Sequence, residues 1–219
     1  MIKYLIPSLL IVLSGISPIL AQSRITYIPP IPSDEKQPKH THSGANRGGC
    51  QKNVSDLVVP LVPRGHIAQT VSQNPSLFFF LLNQESVEAK FTLAEIDGRS
   101  AILEKNLKLN KPGVNSIKVP ENVQLELGKA YIWTITLICN RERPSENPEF
   151  QALIKRVNVP SPQELKKLNT LREKSRFYAL HGIWYDALAL SISASSGETD
   201  VKELLSQIGI LSLISNQNF

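Results

Sequence analysis

One stretch of the chain decides the fold: residues 125–139, LELGKAYIWTITLIC. From Tyr131 onward the side chains alternate between two faces, and this period of two predicts a β-strand. Gly128 permits a tight turn into the strand, a position in which Tyr131 suits a tyrosine corner. One face carries large apolar groups and a cysteine, and it has to be buried: Tyr131, Trp133, Ile135, Leu137 and Cys139.

Further short strands are predicted around this one, with turn signals between them: residues 57–62, 67–71, 77–82, 87–96, 101–109, 114–119 and 150–157. Residues 77–82 (LFFFLL) have no polar face, which is typical of a central strand covered on both sides. Asp97-Gly98 predicts a hairpin, and Pro60 indicates an edge strand. We therefore predict a mainly β domain over residues 50–160, an immunoglobulin-like antiparallel β-sandwich of seven or eight strands.

The hydrophobic period becomes helical after Pro160, and residues 161–219 predict about three helices. Ser161-Pro162-Gln163-Glu164 matches a capping box, so the first helix is expected to begin there. The predicted apolar faces are Leu165, Leu168, Leu171, Ser175 and Tyr178, then Ile183, Trp184, Ala187, Leu188 and Ser191, then Val201, Leu204, Leu205 and Ile208.

These helices are predicted to be a C-terminal α-helical appendage, a subdomain packed on the sandwich. Either face of the strand at residues 77–82 would leave an apolar patch in water if it were uncovered. We expect helices to cover the outer face, with Trp184, Leu188, Leu204 and Leu205 as the covering residues.

The N-terminus has the pattern of a signal peptide over residues 1–21. Lys3 lies in a short positive segment, an apolar run follows, and Ala21 completes an acceptable cleavage site. The run is too short to span a membrane well, so we expect cleavage rather than a retained anchor. The processed chain would be exported to the periplasm or the extracellular space, with no stable membrane insertion. Residues 22–49, rich in proline and glycine, then predict a flexible linker.

Export changes the interpretation of the two cysteines. In an oxidising compartment Cys50 and Cys139 predict a disulfide, and two buried free thiols are the alternative. Such a bond stabilises by about 4–5 kcal/mol in the chain-entropy model. Two cysteines without a histidine at ligand spacing do not indicate a metal site, and no cofactor is predicted.

The chain has 24 Lys and Arg against 19 Asp and Glu, a net charge of +5. This charge is small and scattered, without arginine runs and interleaved aromatics, so nucleic acid is not a predicted partner. A modest positive charge favours anionic surfaces such as lipid headgroups or acidic polysaccharide. The alternative, which the scattered charges favour, is an ordinary solvated surface. An envelope protein or an anionic glycan is the candidate class of partner.

No catalytic motif stands out in the sequence. His66 and His181 are each interpretable as a general base or as a surface or capping residue, and no nucleophile is placed beside them. His40 and His42 form at most a weak metal-binding pair. The most attractive partner-binding cluster is Trp184, Tyr185 and Asp186, for which the alternative interpretation is a helix corner in the core.

An ordered set of motifs covers most of the chain: Arg47-Gly48-Gly49-Cys50, Leu61-Val62-Pro63, Asn74-Pro75-Ser76, Gly128-x-x-Tyr131-x-Trp133 ending at Cys139, and Gly182-Ile183-Trp184-Tyr185-Asp186-Ala187-Leu188. Together they resemble a cyanobacterial family, the domain of unknown function numbered 928. The resemblance implies an exported cyanobacterial protein and implies no activity, so no active-site residues are transferred from it.

Two functions remain as hypotheses. The first is an exported, non-enzymatic module that binds an envelope protein or glycan. The second is an exported hydrolase whose site is dispersed over loops and helices. A β-sandwich can support either, so the fold does not choose between them. The absence of a catalytic motif favours the binding module.

Overall fold

The computed structural model describes residues 24–31, 58–82, 86–96, 98, 100–194 and 197–214. Within these residues the chain forms eight β-strands and five α-helices. The strands are β1 (Val58–Pro60), β2 (Ala68–Thr70), β3 (Ser76–Leu81), β4 (Val87–Glu95), β5 (Ala101–Leu109), β6 (Gly113–Lys118), β7 (Ala130–Leu137) and β8 (Glu149–Arg156). The helices are α1 (Pro162–Leu165), α2 (Leu171–Leu180), α3 (Trp184–Ser193), α4 (Gly197–Gln207) and α5 (Leu211–Ile214).

The strands form two sheets in a sandwich-like arrangement around a shared core. One sheet has the order β1-β3-β6 and the other has the order β2-β8-β7-β4-β5. The mainly β prediction is confirmed, but the all-antiparallel prediction is wrong at one edge, where β2 pairs with β8 in parallel. Five other strands separate β2 from β8 along the chain, and this long connection gives the chain the room that a parallel pair needs.

The organising strand is β7, which lies between β4 and β8. Its core face is confirmed, because Tyr131, Trp133, Ile135 and Leu137 are all at most 1% exposed. The tyrosine corner is also present, since the N–H of Glu126 donates to the Tyr131 hydroxyl at 2.9 Å. This bond ties the Gly128 turn to the first buried residue of the strand.

The apolar strand β3 is central in its sheet, as its sequence predicts. It pairs with β1 on one side and β6 on the other, and Phe80 lies between Val59 and Val114. Every residue from Leu77 to Leu81 is buried, so neither face of β3 meets solvent. The edge prediction for Pro60 is confirmed, because β1 ends the three-stranded sheet.

The helices belong to the same hydrophobic core as the strands. Trp184 and Leu188 on α3 and Leu204 and Leu205 on α4 are 0% exposed and share one apolar cluster with the buried residues of both sheets. The expected C-terminal appendage is therefore corrected. The burial of these four residues against the strands agrees with the expected covering role. Because strands and helices share one core, the helices are not a separate appendage.

The start of the helical region also differs from the prediction. Ser161 has a left-handed backbone and makes no side-chain capping bond, and α1 is only four residues long. The working capping box lies at Thr170, whose hydroxyl accepts the N–H of Glu173 while the Glu173 carboxylate accepts the N–H of Thr170. Because α2 begins only at Leu171, a different face of the helix is buried from the one predicted. Leu171 is 43% exposed, and Phe177 is buried instead.

Residues 24–31, which we name the N-terminal strap, correct the linker prediction for this part of the chain. These residues belong to no helix or strand, but Ile25 is 1% exposed and Tyr27 is 7% exposed. The N–H of Ile28 donates to the carbonyl of Ala179 at 3.0 Å. Two buried anchors with a backbone bond make this segment a part of the folded domain.

Several predictions lie outside the described residues. These are the signal peptide at residues 1–21, the linker beyond residue 31, Cys50, and Asp97 of the hairpin turn. In the part of the chain that the structure describes, none of the helices combines the length and the hydropathy needed to cross a membrane.

Candidate functional site

The predicted cluster Trp184, Tyr185 and Asp186 lies where α3 meets the sheets, a region we name the helix–sheet junction. Trp184 is 0% exposed, and its indole N–H donates to the carbonyl of Leu61 at 2.8 Å. The ring of Tyr27 packs edge-on against it, with centroids 5.0 Å apart. The polar atom and the ring of Trp184 are therefore both engaged within the chain.

Tyr185 fills a second place in the helix–sheet junction. Its hydroxyl accepts the indole N–H of Trp133 at 2.8 Å and donates to the carbonyl of Leu153 at 3.2 Å. The side chain is 1% exposed, and burial raises the pKa of the hydroxyl. It is a neutral donor and acceptor that joins α3 to β7 and β8.

Asp186 reaches from the first turn of α3 to the end of β2. Its carboxylate oxygen Oδ2 accepts the Thr70 hydroxyl at 2.7 Å and the N–H of Val71 at 3.1 Å. Burial raises the pKa of this carboxyl group, while the two hydrogen bonds oppose the shift. The expectation of a partner-binding cluster is corrected, because Trp184 and Tyr185 offer no surface and Asp186 is bonded to the sheet.

The two histidines that were candidate bases have structural contacts instead. The Nε2 of His66 is hydrogen-bonded to the Tyr27 hydroxyl, and the two rings stack with centroids 5.6 Å apart. The Nδ1 of His181 lies 2.7 Å from the carbonyl oxygen of Phe177. Burial lowers the pKa of His66, so its imidazole tends to be neutral. The side-chain partner of His66 is the Tyr27 hydroxyl, whose pKa is raised by burial, so this phenol stays protonated and is not an activated nucleophile.

The disulfide prediction involves one residue outside the described part of the chain, Cys50, so it stays a prediction. Cys139 is partly buried at the end of β7 and packs against the core. The weak pair His40 and His42 is likewise outside the described residues. Within the residues described, no three His, Cys, Asp or Glu side chains are grouped to hold a metal ion.

The loop after β7 is held by two asparagines. The amide oxygen of Asn147 accepts the N–H groups of Cys139 and Asn140, at 3.0 and 2.9 Å. In turn the amide oxygen of Asn140 accepts the N–H groups of Glu142 and Arg143, at 2.9 and 3.0 Å. Asn147 is 6% exposed. A loop whose backbone donors are satisfied in this way presents its outer side chains in a defined position.

Between this loop and the hairpin of β4 and β5 lies a surface cavity of about 680 Å³, which we name the sheet-end groove. Its apolar lining includes Leu107 and Ile138. Its polar lining combines charged and amide side chains: Glu88, Asn106, Lys108, Asn140, Arg141 and Asn147. Glu88 is the direct cross-strand neighbour of Lys108. Arg141 forms an ion pair with Glu88 from the loop side.

The electrostatics of the sheet-end groove favour an anionic or hydroxyl-rich ligand. Two cations, Lys108 and Arg141, face one carboxylate, Glu88. The Arg141–Glu88 pair is exposed, at 77% and 62% of the two side chains, so water screens it and a ligand can compete for it. Among the described residues Lys108 forms no ion pair, and the Asn106 amide makes no hydrogen bond, which leaves both free for a ligand.

Sequence reasoning did not find the sheet-end groove. The sequence predicts no element directly after Cys139 and only a strand at residues 101–109, and neither pattern indicates a binding surface. A usable signal was present in the two asparagines, Asn140 and Asn147, because asparagine commonly holds a loop through its side-chain amide. Their spacing predicts an ordered loop, but the position of Lys108 beside it depends on strand register.

A family model matches most of the chain. The family described as Domain of Unknown Function (DUF928) matches residues 42–218, most of the chain. No curated protein matches the sequence. The family match agrees with the resemblance drawn from the ordered motifs, and its description names no activity.

Proposed function

We propose that this chain, which belongs to the Domain of Unknown Function (DUF928) family, is an exported module that binds an acidic polysaccharide of the bacterial cell envelope. The observation that carries the proposal is the sheet-end groove, where Lys108 and Arg141 stand beside a loop held by asparagines. The groove is a feature of the surface, unlike the helix–sheet junction, whose polar groups are engaged inside the molecule.

The chemistry of the groove suits uronic acid residues. A guanidinium group donates charge-assisted hydrogen bonds to a sugar carboxylate, and an ammonium group adds a second positive charge. The Asn106 amide can donate to one sugar hydroxyl and accept from another. The binding carboxylate takes the place of Glu88 as the partner of Arg141, so the ligand exchanges one ion pair for another.

Export is part of this proposal, since an envelope polysaccharide lies outside the cytoplasm. It is supported by the signal-peptide pattern over residues 1–21, and a mature N-terminus at Gln22 in mass spectrometry would test it. The same compartment would allow Cys50 and Cys139 to form a disulfide. Such a bond ends at Cys139, directly before the loop that borders the groove, and it would restrain that loop further.

The finer fold assignment also belongs to the proposal. An immunoglobulin-like relationship is supported by two sheets with mostly antiparallel pairs and by the bond between Tyr131 and Glu126. In such sandwiches the loops at one end commonly form the binding surface. The segment after β7 would then be a binding loop on a rigid scaffold, which agrees with a site at the sheet end.

The test measures binding of the full mature chain to polygalacturonate and to neutral dextran, by isothermal titration calorimetry at low and high salt. We expect the chain to bind polygalacturonate and not dextran. The affinity for polygalacturonate should fall at high salt, because the contacts are made by exposed charges. The double variant Lys108→Ala/Arg141→Ala should lose about 10- to 100-fold in affinity, since a hydrogen bond to a charged group contributes about 1.5–3 kcal/mol. Glu88→Gln should bind more tightly, because it removes the competing carboxylate.

The matched control is Lys167→Ala, which removes an exposed cation next to α1 and should bind like the wild type. Equal binding to polygalacturonate and dextran would contradict the proposal. So would a double variant that binds acidic polysaccharide as well as the wild-type chain does, because the charge would then act from elsewhere on the surface.

A further inference from the structure

The N-terminal strap is bound in the manner of a peptide ligand. The N–H of Ile25 donates to the Glu203 carboxylate at 3.0 Å, and the N–H of Tyr27 donates to the Gln207 amide oxygen at 2.8 Å. The amide nitrogen of Gln207 donates back to the carbonyl of Ile25 at 2.9 Å. Side chains of α4 thus clamp the strap backbone without requiring a particular side chain there.

Specificity comes from alternate positions of the strap. Ile25 and Tyr27 point inward and are buried, while Thr26 and Ile28 are exposed, which is the pattern of an extended peptide with two anchors. Tyr27 lies between the rings of His66 and Trp184. The anchors therefore fill a place that side chains of the body of the protein form around them.

Gly182 makes room for the second half of the strap. Its φ is +74°, and a Cβ atom at this position would lie 3.0 Å from Pro30 and 3.1 Å from the carbonyl oxygen of Ile28. The glycine between α2 and α3 therefore serves both the turn and the close approach of the strap. The face of α2, α3 and α4 has the features of a site for one extended segment.

The order of these parts along the chain separates ligand from site. The strap precedes every strand, whereas Glu203 and Gln207 lie 178 and 180 residues further on, in the last long helix. During synthesis the strap is made first and its site is completed last. While the site in its own chain is still incomplete, a strap can bind the completed site of a neighbouring copy.

The connection is long enough to allow this. Residues 32–57 join the strap to β1, and the proposed Cys50–Cys139 disulfide would leave residues 32–49 as the free part of this connection. At about 3.3 Å per residue this part can reach on the order of 60 Å. The contacts of the strap with other described segments are all with residues that follow this connection, so a strap placed on a second copy makes the same contacts there as on its own chain. The effective concentration set by the connection decides the balance between the two arrangements.

We propose that the strap is an exchangeable ligand, and that two copies of the chain join by placing each strap on the α2–α4 face of the other. The partner on this face is a second copy of the same chain. The interaction is independent of the sheet-end groove and of its polysaccharide ligand.

The test is a cross-linking experiment between two full-length single variants. Thr26 on the strap and Ser206 on α4 line the same cavity of about 520 Å³. Chains with Thr26→Cys and chains with Ser206→Cys are denatured together, refolded at rising concentration and treated with a short bismaleimide. We expect cross-linked dimers that contain one chain of each kind, in a yield that rises with concentration, and light scattering should show uncross-linked wild-type dimers under the same conditions.

Two controls make the result specific. A chain with Ser116→Cys, exposed on β6, replaces the Ser206 variant and should give no dimer with the Thr26 variant. An excess of the free peptide RITYIPPI, the sequence of residues 24–31, should reduce the dimer yield at least several-fold by occupying the site. Wild-type chains carried through the procedure report any reaction at Cys50 or Cys139.

The proposal is overturned if the mixed variants give no dimer at any concentration while one chain carrying both Thr26→Cys and Ser206→Cys cross-links within itself. It is also overturned if dimers form equally with the Ser116 variant or are insensitive to the peptide. Light scattering of the wild-type chain with and without the peptide needs no mutation, and the peptide should reduce the wild-type dimer there too, so a variant that fails to fold cannot obscure the outcome.

Discussion

The helix–sheet junction and the sheet-end groove use polar side chains in opposite ways. At the junction Trp133, Tyr185 and Leu153 form a chain of buried hydrogen bonds, and Trp184 is bonded to Leu61. At the groove the polar groups are at the surface, and the one ion pair there is exposed. The sequence pattern Trp184-Tyr185-Asp186 predicts a binding site, but these side chains are engaged inside the molecule. The polar groups available to a ligand are the exposed ones of the groove.

The difference is one of energetic cost. A buried polar group without a partner costs about 1–3 kcal/mol, so the junction has to satisfy its groups within the chain. Exposed groups are satisfied by water and remain available to a ligand. Changes at the junction should therefore affect stability, and changes in the groove should affect binding. The predictions below test that division.

The largest effect is expected at Trp184. Trp184→Ala removes a fully buried ring and leaves the Leu61 carbonyl without its donor. We expect a loss of about 3–5 kcal/mol in the free energy of unfolding, which urea denaturation measures. Trp184→Phe is the control, since it keeps most of the ring volume and should cost about 1–3 kcal/mol for the unpaired carbonyl. An alanine variant as stable as wild type would contradict the conclusion that Trp184 is part of the core.

The next effect distinguishes the strap from the turn beneath it. Gly182 and Gly209 both end helices with positive φ, +74° and +72°, but a Cβ meets Pro30 only at Gly182 and finds nothing within 4 Å at Gly209. Gly209→Ala should cost about 1–2 kcal/mol for the left-handed backbone. Gly182→Ala should cost this and also displace the strap, which limited proteolysis near residues 24–31 would detect. Equal stability and equal proteolysis of the two variants would contradict the close packing of the strap.

The sequence predicts the fold best where one pattern dominates. The strict alternation after Gly128 places β7 correctly, and the run at residues 77–82 identifies a strand buried on both faces. The capping motif at Ser161 misplaces the first long helix, because Thr170 and Glu173 form a better box nine residues later. Local signals of similar strength compete, and only packing of the helix on the core selects between them.

The strap and the groove could not be predicted from local patterns. Ile25 and Tyr27 are two apolar residues in a proline-rich segment, and their burial depends on Glu203 and Gln207 near the other end of the chain. Likewise Lys108 and Arg141 lie on different elements, and only strand register and the asparagine-held loop bring them together. Contacts between distant segments leave no periodic signal in the sequence.

A third prediction concerns the partly buried carboxyl group of Asp186. Its pKa is raised in the folded protein, chiefly by burial, so the folded state holds the proton at pH values where the unfolded chain has lost it. This contribution to stability is complete below the unfolded pKa of about 3.9 and is lost as pH rises through the folded pKa. In Asp186→Asn one amide oxygen can still accept from Thr70 and Val71, and no charge is buried.

The free energy of unfolding of Asp186→Asn relative to wild type should therefore shift in favour of the variant as pH rises from about 4 towards neutral. Denaturation at a series of pH values measures this difference. Asp186→Ala, the control, should lose about 1–3 kcal/mol because the Thr70 hydroxyl and the Val71 N–H lose their acceptor. A constant difference between Asn and Asp across this range would mean that the carboxyl group has the same pKa in both states.

The smallest effect on stability is expected in the groove. If polar groups of the junction serve stability and those of the groove serve binding, changes in the groove should instead have a large effect on binding. Arg141 and Glu88 form an exposed pair, which typically contributes about 0–1 kcal/mol, and Lys108 has no partner to lose among the described residues. Lys108→Ala/Arg141→Ala should therefore change the free energy of unfolding by no more than about 0.5–1 kcal/mol in urea denaturation, while the affinity for polygalacturonate falls. If the variant lost several kcal/mol, its loss of binding would follow from unfolding, and the groove would be a structural contact like the junction.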